Sequence, residues 1–538
     1  MRHFGDLREF LAEVKRRGRL YRFTEPVNKE TELMPLFRVE TRGLPDGERR
    51  VLFFEDVRGT DGRRYVMKVA AGVYGASRDF VAWGMGCESM KESLERWHEG
   101  LTRPLEPVLV ENGPVQEEVH VGGELKELGL DELPVPVEEP GFSGMLRTGM
   151  PMITKDPETG TRNVGTYNGF LRARDRMVAA VGSIHDAMVY HWSKARQRGE
   201  PLPLAIVVGC TPAVMLVGSA RIPYGLDELA VAGGIGGSPL ELVRCKTIPV
   251  EVPAGAEIVI EGLMSTEVAE PRTAFGEYPG YLNMEENYRP VLQVTAITHR
   301  KDAIFTPVTV GFFPSDTSAV WGFAHEAMLY HHLRYASGFP VDDVHFPECA
   351  GGSDFCVVRM RQRKGLNAWS VLQAASSLSG SKFIVLVDDD IDIRDRDALL
   401  WAMTYRVRPE SDIQTVYGRS PGLDPSGSPP GTGHERMESR LAGHQYGKTL
   451  MNALRKWPYP PVALPAKEYM ERALAIWAKH EDLPQPKLGE PWHGYTLGIW
   501  SEEDRQNAAL ITEGKYLQVG EKTARRQKPI TAKMIGEE

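Results

Sequence analysis

Three polar side chains in the middle of the chain supply the donor types that could hold a divalent cation. Asn163 offers a neutral oxygen, His185 an imidazole nitrogen and Glu228 a carboxylate. This mixed set suits Mn²⁺, Mg²⁺ or Fe²⁺ better than structural zinc, which favours thiolates and histidines. A single acidic ligand would leave the cation net positive and able to take a phosphate. Residue types alone do not show that the three groups meet, because any three such groups in 538 residues could be unconnected.

Other familiar motifs are weaker. The chain has no GxxxxGKS/T phosphate loop, and the glycine cluster at 233–237 lacks the GxGxxG spacing. Gly418-Arg-Ser420-Pro-Gly422 matches the GxSxG pattern of a nucleophile elbow, which needs a strand before the serine and a helix after it. The serine lies in a proline-rich segment here, so we interpret the match as chance.

The acidic run Asp388-Asp389-Asp390 follows the strand-like segment 383–387. Carboxylates at the carboxyl end of a parallel strand are well placed to hold a metal or ligand. The interpretation we favour is a solvated cap that starts the next helix, with Asp392 and Asp395 continuing its acidic first turn.

Length and composition limit the class of protein. A chain of 538 residues exceeds the size at which one hydrophobic core usually stops growing, so we expect two or three domains. A net charge of −9 and a pI near 5.9 argue against a general nucleic-acid binder. No apolar run reaches the length of a membrane span, and the N-terminal segment lacks the apolar core of a secretory signal. The cysteines form no CxxC pair, which predicts reduced thiols in a cytoplasmic protein.

Periodicity predicts the elements that must position these residues. Apolar residues at Phe4, Leu7, Leu11 and Val14 predict an amphipathic helix capped by Asp6. Strand-like runs at 51–57 and 65–73 precede a helical stretch near 77–101, and the proline-rich, acidic segment 103–140 is interpreted as a connection between domains.

The chain from about 148 to 310 is rich in strand-like runs, among which we place AVMLVG at 213–218. Glycine and proline punctuate the runs at short intervals, as in a barrel or a folded-over sheet. From about 320 helix and strand patterns alternate, with FIVLV at 383–387 as a buried strand, which is typical of an α/β unit.

Three segments of the middle region together resemble the UbiD family of reversible decarboxylases. They are Asn163-Val-Gly-Thr-Tyr-Asn168 with His185 after it, the segment 222–234 that contains Glu228, and Phe275-Gly-Glu277-Tyr-Pro-Gly-Tyr281. In that family an N-x-G-x-Y-R segment, a later histidine and a glutamate before an A-G-G/A turn hold the metal, and an E-G-P-F/Y-G-E/D segment supplies an acid. The segments 253–262 and 381–395 are also similar to the family.

The resemblance implies an α/β multidomain fold. The expected parts are an α/β N-terminal domain at 1–120, a central split-β-barrel flavin-binding domain at 121–315, and an α/β C-terminal domain at 316–538 with a role in oligomerisation. A homodimer or homohexamer is expected.

The resemblance also implies a cofactor, prenylated FMN, whose phosphate is bridged to the protein by a divalent metal (Mn²⁺, or Mg²⁺ or Fe²⁺) and by K⁺. Asn163, His185 and Glu228 match the metal ligands. Lys382 is a candidate phosphate contact, although a surface lysine before a strand is an equal alternative. The full set of expected cofactor contacts is Asn163, Thr166, Tyr167, Asn168, Ile184, His185, Glu228 and Lys382.

The chain departs from the family pattern at two positions that bear on mechanism. Asn168 stands where the family has arginine, and Arg272 stands where it has the first glutamate of its Glu–Arg–Glu triad. We expect Glu277 to remain the proton shuttle and Arg272 to compensate charge, because an arginine can fork onto a carboxylate of Glu277 or of the substrate. Losing one glutamate also removes a like-charge neighbour that would raise the pKa of Glu277.

The function implied is reversible non-oxidative decarboxylation of an aromatic or α,β-unsaturated carboxylic acid, with aromatic acyl-CoA substrates also open. CO₂ is the second partner and a flavin prenyltransferase would supply the cofactor; no nucleic acid or membrane is expected. The alternatives are a non-catalytic flavin-binding subunit of a carboxylase complex and a metal-dependent hydrolase. The substrate, the net direction, the native metal and the subunit number stay open.

Overall fold

The computed structural model describes residues 3–144, 146–179, 187–272, 274–283, 287–418, 423–427, 446–531 and 534. The chain divides into two compact units. The first comprises 1–386 and 409–452, and the second comprises 387–408 and 453–538. The boundaries of the three expected domains stay predictions.

The strands are numbered in chain order. They are β1 Leu20–Asn28, β2 Val51–Arg58, β3 Lys68–Ala71, β4 Val108–Leu109, β5 Glu118–Val121, β6 Arg147–Lys155, β7 Arg162–Ala173, β8 Arg176–Ala179, β9 Leu202–Val208, β10 Glu241–Arg244, β11 Glu251–Pro253, β12 Ile258–Arg272, β13 Phe275–Gly276, β14 Leu282–Asn283, β15 Asn287–His299, β16 Ile304–Phe305, β17 Val341–His345, β18 Phe355–Met360, β19 Phe383–Asp388, β20 Ile413–Gly418 and β21 Tyr446–Ala453.

The α-helices are numbered in the same way. They are α1 Leu7–Arg16, α2 Leu33–Gly43, α3 Arg78–Gly84, α4 Met90–Thr102, α5 Ala187–Gln197, α6 Pro212–Ser219, α7 Glu228–Gly236, α8 Asp316–Tyr330, α9 Ala368–Leu378, α10 Arg396–Arg406, α11 Pro409–Asp412, α12 Lys467–Trp477, α13 Glu502–Thr512 and α14 Tyr516–Ala524. A π-helical turn at His331–Ala336 continues α8.

The N-terminal region confirms the first helix. The Asp6 carboxylate accepts a hydrogen bond from the Glu9 amide and caps α1, whose residues Leu7, Leu11 and Val14 are buried. The helical stretch near 77–101 is two helices, because the chain turns at Gly86, which has a φ of +73°. Strands β1, β2, β3 and β16 form one sheet beside these helices.

The central region is a closed barrel, as predicted. Its strands follow the order β12-β9-β6-β7-β8-β15, and β15 pairs back onto β12 to close six strands. Strand β5 pairs with β15 on the outside of this ring. Because the barrel is closed, each of the six strands pairs with a neighbour on both sides. This pairing holds the register of each strand.

One element of the central region was predicted wrongly. Residues 213–218 lie in α6, a helix whose residues 212–218 are all buried, and not in a strand. A helix that is apolar all round shows no amphipathic period, so it cannot be separated from a buried strand by pattern alone. Pro212 in the first turn was the signal for a helix start.

Beyond the barrel, strands β17-β18-β19-β21-β20 form a five-stranded sheet. The predicted strand at 383–387 is β19, with 384–388 buried. Within the described residues, no helix combines the length and apolar character needed to cross a membrane. The five cysteines, all within the described residues, form no disulfide with one another (Cys87, Cys210, Cys245, Cys349 and Cys356).

In the second unit, the first residue of the acidic run is a buried, hydrogen-bonded carboxylate and not the solvated cap that we favoured. Asp388 is fully buried and accepts hydrogen bonds from Arg406 Nη1 at 3.1 Å and from the Arg455 amide at 2.8 Å. Asp395 does cap α10, by accepting from the Asp397 amide at 2.9 Å. A partner 18 residues away, such as Arg406 for Asp388, is not visible in local sequence.

Glu257 joins α1 to the barrel and generates a stability prediction. It is fully buried and accepts from Arg8 Nε at 2.7 Å, Arg8 Nη2 at 2.9 Å and the Ile304 amide at 3.1 Å. We expect Glu257→Ala to lower the free energy of unfolding by about 3 kcal/mol, the low end for a broken buried pair because Arg8 stays partly hydrated. Urea unfolding followed by circular dichroism measures the change.

The matched control is Glu267→Ala, which removes an exposed carboxylate from β12, the strand that begins directly after Glu257. It should change the unfolding midpoint little. Equal midpoints for the two variants would show that the Arg8–Glu257 pair contributes nothing to stability.

Candidate active site

Glu228, one of the three predicted metal ligands, lies in the first turn of α7 and accepts a hydrogen bond from β7 at the residue that follows Asn163. The Val164 amide donates to Glu228 Oε2 at 3.2 Å, and Asn163 directly precedes Val164 on β7. Asp227 caps α7 by accepting from the Leu229 amide at 2.8 Å, which fixes the helix end that carries Glu228. The sequence prediction that Asn163 and Glu228 share a site is consistent with this placement.

The electrostatics at this point suit a cation. Asn163 and Glu228 are 6% and 8% exposed. Burial raises the pKa of Glu228 to about 7, against hydrogen bonds from its own amide and from Val164. Asn163 Nδ2 is buried without a hydrogen-bond partner among the described residues. Because the oxygen and nitrogen of an amide side chain are nearly indistinguishable in shape, the same site can present the oxygen to a cation.

The third predicted ligand, His185, lies outside the described residues, as does Ile184. Within the described part of the chain, no group of three His, Cys, Asp or Glu residues is placed to hold a metal. Asn163 and Glu228 therefore fit a cation only as part of a set that includes a further donor, and the metal assignment stays a prediction.

Arg272 and Glu277, two of the three predicted catalytic residues (the third is Asn168), lie close together. Arg272 ends β12, and the β13–β14 hairpin that follows carries Glu277 in its turn. Arg272 Nη1 is 3.8 Å from Glu277 Oε1, and Asn283 Nδ2 donates to the same oxygen at 3.3 Å. The Arg272 guanidinium also lies over the Phe275 ring, 4.9 Å from its centroid.

A cavity of about 60 Å³ opens beside these groups. Its wall contains four predicted residues: Thr166, Tyr167, Asn168 and Glu277. Aromatic and aliphatic side chains form much of the rest. The complete lining is Arg147, Gly149, Thr166, Tyr167, Asn168, Met215, Ser219, Glu277, Tyr278, Val308, Val310, Thr317, Val320 and Trp321.

Arg147 and Glu138 are site residues that the sequence analysis did not single out. Arg147 Nη1 donates to Asn168 Oδ1 at 2.5 Å, and Nη2 donates to Glu138 and to the Val308 carbonyl oxygen. Burial raises the pKa of Glu138 to about 7, while the Arg147 charge opposes that rise. Glu138 lies in a segment interpreted as a connection, and a buried ion pair leaves no periodic signal in sequence.

Lys382 directly precedes strand β19. Its Nζ donates to Asp424 Oδ2 at 3.0 Å and to Ser426 Oγ at 2.6 Å. The prediction that Lys382 contacts a cofactor phosphate remains a prediction.

Family models match three consecutive parts of the chain. All three describe 3-octaprenyl-4-hydroxybenzoate carboxy-lyase (UbiD). The N-terminal domain matches residues 11–97, the Rift-related domain matches 107–312 and the C-terminal domain matches 318–452.

Individual relatives extend the match to nearly full length. An uncharacterised protein of Aquifex aeolicus (strain VF5) is 30% identical over 507 residues, which cover 88% of this chain and 98% of the relative. The UbiD-class enzyme HmfF from Pelotomaculum thermopropionicum, solved with FMN, gives a TM-score of 0.75 at 28% identity, with 87% and 99% of the two chains covered. The apo 3,4-dihydroxybenzoic acid decarboxylase of Enterobacter cloacae gives 0.74 at 26%, with 90% and 98% covered.

The Asp227 cap generates a prediction about the helix that carries Glu228. We expect Asp227→Ala to lower the free energy of unfolding by about 1–2 kcal/mol, because the Leu229 amide loses its acceptor and Arg162 loses an ion-pair partner. Asp227→Asn keeps a capping oxygen and should recover most of the loss. Chemical unfolding of the two variants measures this, and equal stability of Asp227→Ala and the unchanged protein would contradict the capping role.

Proposed function

The chain belongs to the UbiD family of carboxy-lyases, and on that premise we propose that it catalyses reversible non-oxidative decarboxylation of an aromatic or α,β-unsaturated carboxylic acid with prenylated FMN. HmfF from Pelotomaculum thermopropionicum has been solved with this cofactor, and its structure matches 87% of this chain at 27% identity. The observation that best supports this proposal is a single cavity lined by Glu277 and by Thr166, Tyr167 and Asn168 of β7.

We propose that Asn163, His185 and Glu228 hold a divalent metal that, together with K⁺, anchors the cofactor phosphate. The buried amide of Asn163 beside the buried carboxyl of Glu228 supports this. Mn²⁺ is the expected ion, with Mg²⁺ or Fe²⁺ as alternatives, because hard and borderline cations accept this oxygen and nitrogen donor set. The further cofactor contacts would come from Thr166, Tyr167, Asn168, Ile184 and Lys382.

Prenylated FMN, when bound, supplies the electron sink for loss of CO₂. The protein has the remaining tasks. Tyr278 and Trp321 offer ring faces to an aromatic substrate, and Met215, Val308 and Val320 keep water away from the reacting carbon.

Glu277 is the group placed to donate the proton that replaces CO₂, and to remove it in the carboxylation direction. Arg272 Nη1, 3.8 Å from Glu277 Oε1, would balance the negative charge that Glu277 carries after it has donated the proton. Direction is then set by substrate and CO₂ concentrations and not by a residue of the chain.

We also propose that the protein works as a homodimer or homohexamer in the cytoplasm. Helices α12, α13 and α14 of the second unit bury no residue, and apolar side chains such as Ile476, Ile511 and Leu517 are more than half exposed. A second copy would cover such a surface. That the five cysteines, all described, form no disulfide with one another supports a reducing compartment.

Glu277→Gln tests the catalytic assignment. We expect turnover to fall by about 10²–10⁴-fold while the cofactor stays bound, because the amide cannot transfer a proton. CO₂ release from a panel of aromatic and α,β-unsaturated acids gives the rate, and absorbance of the purified protein gives the cofactor content.

Glu241→Gln, at an exposed position on β10, is the matched control and should keep full activity. Substantial turnover by Glu277→Gln would remove Glu277 from the mechanism. An inactive unchanged protein that binds the cofactor would instead favour the non-catalytic subunit.

Glu228→Gln tests the metal assignment separately. We expect Mn²⁺ to bind at least about tenfold more weakly, with parallel loss of cofactor uptake, because the only carboxylate of the proposed ligand set is removed. Elemental analysis after Mn²⁺ loading and dialysis gives the metal content, with Glu241→Gln again as control. Unchanged Mn²⁺ content in Glu228→Gln would contradict the ligand set.

A further inference from the structure

Arg147 lines the cavity, although it stands at none of the three positions of the family triad (168, 272 and 277). We propose that Arg147 binds the carboxylate of the substrate, and that Gly149 is small in order to leave its guanidinium room. This inference rests on the proposed function and deepens it, since it assigns the group that recognises the substrate's negative charge.

Strand pairing brings Arg147 to the place where the family pattern has lost its charge. Strands β6 and β7 are antiparallel, with Arg147 opposite Phe170 and Gly149 opposite Asn168. The Arg147 side chain reaches back along the sheet, so that its Nη1 donates to Asn168 Oδ1 at 2.5 Å. The positive charge missing at 168 is thus supplied from the neighbouring strand.

Gly149 makes this path possible. A Cβ added at Gly149 would lie 2.6 Å from Arg147 Nη1 and 3.5 Å from Asn168 Oδ1. Real Cβ atoms do not approach other atoms to 2.6 Å, so any larger residue would displace the guanidinium from its present position. The displaced atom is the end of a flexible side chain, so the barrel itself would tolerate the change.

The surroundings of Arg147 hold it in place and leave it able to take an anion. Glu138 and the Val308 carbonyl oxygen accept from Nη2, and Glu138 is itself held by the Val310 amide at 3.1 Å. Nη1 donates to the neutral amide oxygen of Asn168, so within the described residues the Glu138 carboxylate is the one charged acceptor of Arg147. A guanidinium in a water-poor site gains most from a charged acceptor.

The two arginines therefore divide the work. Arg272 is 3.8 Å from Glu277 and does not line the cavity, whereas Arg147 lines it. On this proposal Arg272 compensates the charge of Glu277, and Arg147 binds the carboxylate of the substrate. The contrasting explanation is that Arg147 and Glu138 form only a structural pair that fixes the segment before β6.

Ligand preference separates these explanations. Benzoate and its neutral analogue benzamide are titrated by calorimetry into the flavin-loaded protein. We expect the unchanged protein to bind benzoate at least about tenfold more tightly than benzamide. Arg147→Gln should abolish this preference, and Arg147→Lys should keep part of it because a point charge replaces the planar fork.

Gly149→Ala keeps the charge but moves it, so it should weaken benzoate binding several-fold and leave benzamide unchanged. The matched control is Arg176→Gln, which removes an arginine from β8 that pairs with Glu270 and does not line the cavity. It should leave the preference intact. If Arg147→Gln does not fold, Arg147→Lys and Gly149→Ala still give the result.

The proposal is overturned if Arg147→Gln keeps the preference for benzoate, or if the unchanged protein has none. Cofactor loading and turnover are measured separately on the unchanged protein. Because calorimetry measures binding without turnover, it tests the role of Arg147 independently of the proposed function. A protein without decarboxylase activity that still loses its benzoate preference in Arg147→Gln would contradict the proposed function alone.

Discussion

Closure of the six-stranded barrel holds β7 in hydrogen bonds to a neighbour on each side, and both halves of the candidate site depend on that strand. Near its start the Val164 amide, next to Asn163, donates to Glu228, and further along Asn168 accepts a hydrogen bond from Arg147. Because a one-residue shift of β7 would move every side chain to the opposite face, the sheet sets the separation between Asn163 and Asn168. On the proposed function, β7 would therefore fix the distance between the cofactor anchor and the substrate site.

Buried charge is the second organising feature. Arg147 with Glu138 and Arg272 with Glu277 place two opposite-charge pairs inside or beside one small cavity. A buried ion pair is weak evidence for stability, because desolvation offsets much of the attraction between the charges. Such pairs are therefore better explained by what they do for a bound anion and a moving proton. Where the family has an arginine, this chain has Asn168, and Arg147 of the neighbouring strand β6 donates to it.

Local pattern predicted the parts of the fold that have a clear period. The stripe through Leu7, Leu11 and Val14 identified α1, and punctuated strand-like runs identified the barrel. The resemblance predicted that Asn163 and Glu228 share a site, which residue types alone could not predict. Pattern failed where burial is complete or partners are remote: α6 is apolar on every side, and Asp388 finds Arg406 through the tertiary fold. Arg147 was missed for the same reason, since its role depends on register between β6 and β7 and on a gap at Gly149.

The identity of the bound cofactor tests the account most directly. The protein would be produced anaerobically together with a flavin prenyltransferase, and the bound small molecule identified by absorbance and mass spectrometry alongside elemental analysis. The account predicts prenylated FMN with a stoichiometric divalent metal. A protein that holds a divalent metal but no flavin under these conditions would contradict the central claim and bring the metal-dependent hydrolase forward.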